Sequence, residues 1–180
     1  MSDWSLISRI LDIYELTKND RYYIHQGLGW NIQYNFDMIA NSTTYLAFET
    51  GEPEIHATSR RVKAIGLDNQ LIDVRVTTLK NATIDVLGNN ISNRVFNGDL
   101  NLNNSIELNM YDETTTIADE GTEAPFSSRM RADRRQAAQE FITNEYILRK
   151  NNFRVLKFEN LGDGSVEIEY ASSGYQEEEL

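Results

Sequence analysis

From Trp30 to Met38 the chain reads W-N-I-Q-Y-N-F-D-M, five apolar residues alternating with four polar ones. Side chains alternate faces along an extended chain, so this stretch predicts a strand with one face buried and the other wet. The same period returns at Ile72-Val74-Val76, Ile106-Leu108-Met110 and Val166-Ile168-Tyr170, with turn-rich sequence between. Together these stretches predict an all-β chain, an antiparallel β-sandwich or jelly roll. Asn41-Ser42 reads as the turn of a hairpin joining Trp30–Met38 to Tyr45–Phe48, which ends at Thr50-Gly51-Glu52-Pro53. Further strands are predicted at Ile55–Thr58, Val62–Leu67, Leu71–Thr78 and Ala82–Leu87, with Asp68-Asn69 as a tight turn and weak strand character at Arg94–Phe96. Phe141–Leu148, Phe153–Phe158 and Ser165–Tyr170 read as a three-stranded meander turning at Lys150-Asn151-Asn152 and Gly162-Asp163-Gly164.

Two stretches follow the helical period instead. Leu6, Ile7, Ile10, Leu11 and Tyr14 form one apolar stripe, predicting a short amphipathic helix from Asp3 to Leu16 with Asp3 or Ser5 as its N-cap. Its two readings are a plug closing the open end of the sandwich and an arm docking on a neighbour. Met130 to Gln139 is rich in Arg, Ala and Gln, which favours a short helix. The stretches 88–105 and 112–128 read as exposed loops. The expected organisation is an arm at 1–20, a β domain at 21–171 and a loose acidic tail at 172–180.

The chain of 180 residues has room for one core, and its lack of cysteine removes disulfides, thiolate metal sites and Cys nucleophiles. No basic segment precedes an apolar run, and no stretch approaches the roughly 20 apolar residues of a membrane span, so a soluble, unsecreted protein is expected. Asn-x-Ser/Thr triplets at Asn41, Asn81, Asn90 and Asn103 then read as asparagine-rich loops rather than glycan acceptors. A net charge of −11 disfavours nucleic acid and anionic membranes and suits solubility or a basic partner. Against that background Arg129, Arg131, Arg134 and Arg135 cluster, while Glu177, Glu178 and Glu179 lie near the C-terminus. The two patches are complementary across a subunit boundary.

Neither His25 nor His56 has a metal-ligand spacing, and both read as ordinary strand or loop histidines. No Gly-x-Ser-x-Gly elbow occurs. Glu107, Asp112 and Glu113 are the carboxylates best placed for glycoside chemistry, though a solvated face explains them as well. The Asn89–Asn104 loop offers oxygen ligands for a cation but only one charge, Asp99. Gly27-Leu28-Gly29 lacks the third glycine of a dinucleotide loop. Trp30, Tyr34 and Tyr45 read as core or, if they all face solvent in a concave site, as a sugar platform. The expectation is no enzyme, no cofactor and no metal.

Three stretches carry a family resemblance. Gly29-Trp30-Asn31-Ile32 through Ala40-Asn41-Ser42-Thr43-Thr44-Tyr45-Leu46-Ala47-Phe48-Glu49-Thr50-Gly51, then Ser92-Asn93-Arg94 followed by Asn97, then Glu140-Phe141-Ile142 through Glu159-Asn160-Leu161 with Val166–Tyr170, resemble the small β-sandwich decoration (cement) proteins of tailed-phage capsids. The chain departs from them at Asn151-Asn152, where the family has a Pro-containing turn, and in its N-terminal stripe and acidic tail. The resemblance implies a non-enzymatic virion protein on the capsid surface, made in the host cytoplasm. Such a protein binds major capsid protein or other virion proteins, often as a homotrimer, without nucleic acid or membrane. Ile7, Ile10, Leu11, Tyr14 and the four arginines are the expected contacts. The rival readings are a head–tail connector, tail or fibre-attachment part, and a carbohydrate-binding or glycosidase-like module.

Overall fold

The computed structural model describes residues 28–68, 70–91, 94–95, 106–132, 137–142 and 146–177. Fourteen strands follow one another there: β1 Gly29–Met38, β2 Thr43–Thr50, β3 Ile55–Gly66, β4 Ile72–Lys80, β5 Thr83–Val86, β6 Asn90–Ile91, β7 Arg94–Val95, β8 Leu108–Tyr111, β9 Thr116–Asp119, β10 Thr122–Ala132, β11 Ala137–Ile142, β12 Tyr146–Leu148, β13 Phe153–Asn160 and β14 Val166–Gln176. The predicted all-β antiparallel sandwich is therefore present. The N-terminal helix lies outside the described residues.

One sheet runs β11-β3-β14-β1-β7, with β12 also on β3, and the other runs β10-β4-β13-β2-β8-β6. Successive long strands β1, β2, β3, β4 alternate between the two sheets, as do β12, β13 and β14. Removing the short strands leaves β1-β14-β3-β11 facing β2-β13-β4-β10, the two four-stranded antiparallel layers of a jelly roll. This strand order corrects two expectations. Asn41-Ser42 does not close a hairpin but carries the chain from one sheet to the other, because β1 pairs with β14 and β2 with β13. The C-terminal strands form no meander, since β14 inserts between β1 and β3 while β13 inserts between β2 and β4.

Four further differences have local causes. Ile55–Gly66 is one strand rather than two, because the polar Ser59 and Arg60 pair with Ser173 and Ser172, where Ser59 and Ser173 also share a 2.6 Å hydroxyl hydrogen bond. Residues 130–132 and 137–139 are strand rather than helix. Met130 enters the core while Arg129 and Arg131 face out, and pairing with β4 overrides helix propensity. The 112–128 stretch contains β9 and most of β10 rather than only loop. Residues 172–176, expected to be loose, complete β14 between β1 and β3. Residues 178–180 lie outside the described residues.

Between the sheets Phe158 sits fully buried, with ring edges toward Phe36 at 5.3 Å and Tyr170 at 6.5 Å. Trp30, Ile32, Leu46, Val76 and Ile168 fill the rest of this core. A smaller apolar layer forms on the other face of the β2 sheet. There Ala47, Leu79 and Val155 are covered by Ile84 and Ile117 of the β5–β9 pair.

Asn160 holds together the end of the sandwich where the 39–42 and 161–165 turns meet. Its amide donates to the carbonyls of Ile39 and Gly164 at 2.9 and 2.8 Å and accepts from the Gly162 amide at 3.1 Å. Gly162 passes so close to β4 that a Cβ there would lie 2.3 Å from the Leu71 carbonyl oxygen.

Candidate functional site

Alternation along β4 turns Ile72, Val74 and Val76 inward and Asp73, Arg75 and Thr77 outward. Arg131 of β10 stands directly opposite Asp73, and Arg129 stands opposite Arg75. Both arginines bend onto Asp73: Arg129 donates from Nε and Nη2 to its two carboxylate oxygens at 2.7 Å each, and Arg131 from Nε at 3.0 Å. The Arg129 hydrogen bonds hold the Asp73 carboxyl below the usual carboxylate range, in spite of its burial. Asp73 is nearly covered at 4 % side-chain exposure, while Arg129 and Arg131 keep 51 and 62 % open to solvent.

The ladder continues across the same face. Arg75 meets Glu159 at 3.6 Å, and Lys157 meets Glu159 at 3.3 Å and Glu120 at 2.8 Å. Tyr45 donates to Glu120 at 2.6 Å. Burial and that bond push the Tyr45 phenol up to about 12, and the Lys157 and Tyr45 bonds lower Glu120. Of the residues expected to touch a partner, then, Arg129 and Arg131 share one half-exposed cationic spot at the β10 edge, tied to its own sheet by Asp73. Arg134, Arg135, Ile7, Ile10, Leu11 and Tyr14 lie outside the described residues.

The candidate catalytic groups are engaged in holding loops. Burial tends to raise Asp112, but bonds from Thr114 Oγ1 and Asn89 Nδ2 and from both backbone amides bring its carboxyl below the usual range. Glu107 accepts from the Glu52 amide at 3.0 Å. Glu113 accepts from the Tyr34 hydroxyl, whose pKa is raised by burial first and by Glu113 second. Trp30 is 2 % exposed, so it does not join Tyr34 and Tyr45 in a solvent-facing sugar platform. The calcium candidate loop lies mostly outside the described residues.

His56 is a buried strand residue, stacked on Tyr175 at 4.5 Å with its Nε2 3.0 Å from a Glu177 oxygen. Glu54, His56 and Glu177 each offer one ligand atom within 4.8 Å of the others. Sequence reasoning missed this grouping because β14 returns Glu177 beside Glu54 only in the folded chain, through the 3.0 Å bond from the Glu177 amide to the Glu54 carbonyl. Among the described residues no helix is long and apolar enough to cross a membrane.

No protein-family model matches the chain, and no curated protein sequence matches it. Among solved structures it is similar to the VP2 subviral particle of infectious bursal disease virus, at 12 % identity and a TM-score of 0.20, over 82 % of this chain and 41 % of that one. A second similar structure is that of the Gx strain of the same virus, at 13 % identity and a TM-score of 0.20, over 82 % of this chain and 40 % of the other. The chain thus spans about two fifths of the length of these viral chains.

Proposed function

We propose that this chain is a non-enzymatic structural protein of a virion, and within that class a decoration protein that binds major capsid protein on the outside of a tailed-phage shell as a homotrimer. The observation that carries the reading is the strand order, β1-β14-β3-β11 over β2-β13-β4-β10, an architecture that recurs in viral capsid domains. Fold alone does not assign function, and lectins and cupins use the same layers. The second support is what the polar groups do: Glu107, Asp112 and Glu113, the residues best suited to hydrolysis, each brace a turn or a strand.

A preformed sandwich loses little conformational entropy on docking, and several weak contacts on a repeating surface become long-lived together. The exposed guanidiniums of Arg129 and Arg131 supply one such contact, toward an acidic neighbour. The stripe Ile7, Ile10, Leu11 and Tyr14 supplies the other, as an arm.

Cryo-electron microscopy of particles carrying the protein tests the proposal. A repeated density at symmetry axes of the shell is expected, with a trimer mass by native mass spectrometry. Density confined to one vertex or the tail would favour a connector or fibre-attachment part, and absence from the particle would overturn the reading. Deleting residues 1 to 20 should lower occupancy while the β domain stays folded.

A further inference from the structure

At the end of the sandwich opposite Asn160, the 51–54 and 149–152 turns are tied by bonds from the Asn151 amide to the Gly51 carbonyl and from the Thr50 amide to the Asn152 carbonyl. Beside them the two sheets part around a cavity of about 340 Å³ whose walls include Phe48, Lys80, Asn81, Arg149, Asn152 and Arg154. No Asp or Glu of the described residues lines it, in a chain with 28 acidic residues and a net charge of −11. That concentration of cations runs against the composition and needs a physical account.

The strand register supplies its geometry. Arg154 pairs with Phe48, and one step beyond the Val155–Leu79 pair it neighbours Lys80. Leu156 and Phe158, at alternate positions after Arg154, are core residues, as are Val74 and Val76 before Lys80. Both cations therefore belong to the inner face of the β2 sheet, at the rim where the apolar core ends. Arg149, next to β12, closes the cavity from the facing sheet.

Behind this rim lies Arg60 of β3, 6 % exposed, which reaches across the sandwich to Thr78 Oγ1 at 3.5 Å. Thr78 is the inner-face position before Lys80. The Arg60 Nε has no hydrogen-bond partner, and no carboxylate of the described residues pairs with this guanidinium. A buried cation without a counter-charge is costly, and cations gathered at a low-dielectric mouth focus a positive potential outward.

We propose that this mouth is an anion-binding site, which takes a carboxylate, sulfate or phosphate group carried by a ligand no larger than a monosaccharide. The guanidinium fork at Arg149 matches the planar oxygens of such groups, and Lys80 adds a point charge. The Asn81 and Asn152 amides supply neutral hydrogen bonds. Phe153, 40 % exposed on the wall, offers an apolar face to the remainder of the ligand. The cavity lies at the small end of the range for ligand sites. The inference does not depend on the virion reading.

Titration calorimetry and amide chemical shifts of the full chain, with inorganic phosphate, N-acetylneuraminate and galactose as three separate probes, test it. The expected result is saturable, salt-suppressed binding of at least one anionic probe, with shifts at 80–81 and 149–154, and none of galactose. Tighter phosphate marks a free anion as the source, and tighter N-acetylneuraminate marks a sugar acid. Arg149→Gln should weaken binding about tenfold or more, as should Lys80→Gln, an exposed position that leaves the core intact. No saturable binding of either anion below about 10 mM, galactose binding as well as the anions, or unchanged affinity in both variants would overturn the proposal.

Discussion

Arg129 lies one diagonal step from Asp73 across the β10–β4 pair, and the two side chains meet through two parallel hydrogen bonds of 2.7 Å. Arg131, directly opposite, adds a third at 3.0 Å, so one covered carboxylate orients two exposed cations. The edge strand gains charged side chains that deter pairing with another sheet edge while their guanidiniums stay available to a partner.

Acid should release this arrangement first. Asp73, Asp112 and Glu120 all have lowered pKa values in the fold, so the stability they contribute is whole above the ordinary carboxylate range of about 4 and is lost as pH falls through the lowered values. Urea unfolding between pH 5 and 2 is expected to show a falling midpoint, and Asp73→Asn should flatten that fall. An unchanged slope in the variant would separate Asp73 from acid stability.

Alkali acts with the opposite proton count. The Glu49 hydrogen bond and then burial push Tyr111 up to about 12, and burial and then Glu120 do the same for Tyr45. The unfolded chain releases these protons near pH 10 while the folded chain retains them, so stability should decline from about pH 10 to 12. Tyr34 is raised as well, so a tyrosinate absorbance titration should show late phenols beyond the rest that disappear one each in Tyr34→Phe, Tyr45→Phe and Tyr111→Phe.

Phe158→Ala should cost about 3 to 5 kcal/mol in equilibrium unfolding, because the ring is fully buried between Phe36 and Tyr170 and the strands around it cannot close the cavity. Exposed Leu161, at 45 %, serves as the control, and its Ala variant should stay within about 0.5 kcal/mol.

Gly174→Ala should destabilise by about 1 to 3 kcal/mol with no loss of buried apolar area. At the irregularity of the β14–β3 register between Ser173 and Gly174, a Cβ would lie 1.8 Å from the His56 carbonyl oxygen and 2.9 Å from the Trp30 ring. Thermal unfolding monitored by Trp fluorescence reads both the shift and the displaced indole.

Asn160→Ala should cost about 1 to 3 kcal/mol for each of the two buried backbone groups it leaves without this partner, the Gly162 amide and the Gly164 carbonyl, while the Ile39 carbonyl keeps its bond from the Ser42 hydroxyl. Increased amide exchange at 39–42 and 162–165 would localise the loss.

Alternation in Trp30–Met38, Ile72–Val76 and Val166–Tyr170 determined by itself that these segments are strands with one buried face, because the period of side chains is a local property of extended backbone. It also identified which residues enter the core, Trp30, Ile32, Val74 and Ile168 among them. Only the tertiary structure decided which strand pairs with which. A hairpin at Asn41-Ser42 and a crossing between sheets bury the same face of β1, and backbone hydrogen bonds carry no sequence label, so local pattern favours the hairpin while the jelly roll takes the crossing. The same limit hid the strand at 130–132, where pairing with β4 outweighed helix propensity, and the second half of β14, whose small and polar residues are held between β1 and β3. It hid the Lys80, Arg149 and Arg154 cluster too. Lys80 lies far along the chain from Arg149 and Arg154, and the register of β2, β13 and β4 with the turn after β12 brings the three to one cavity.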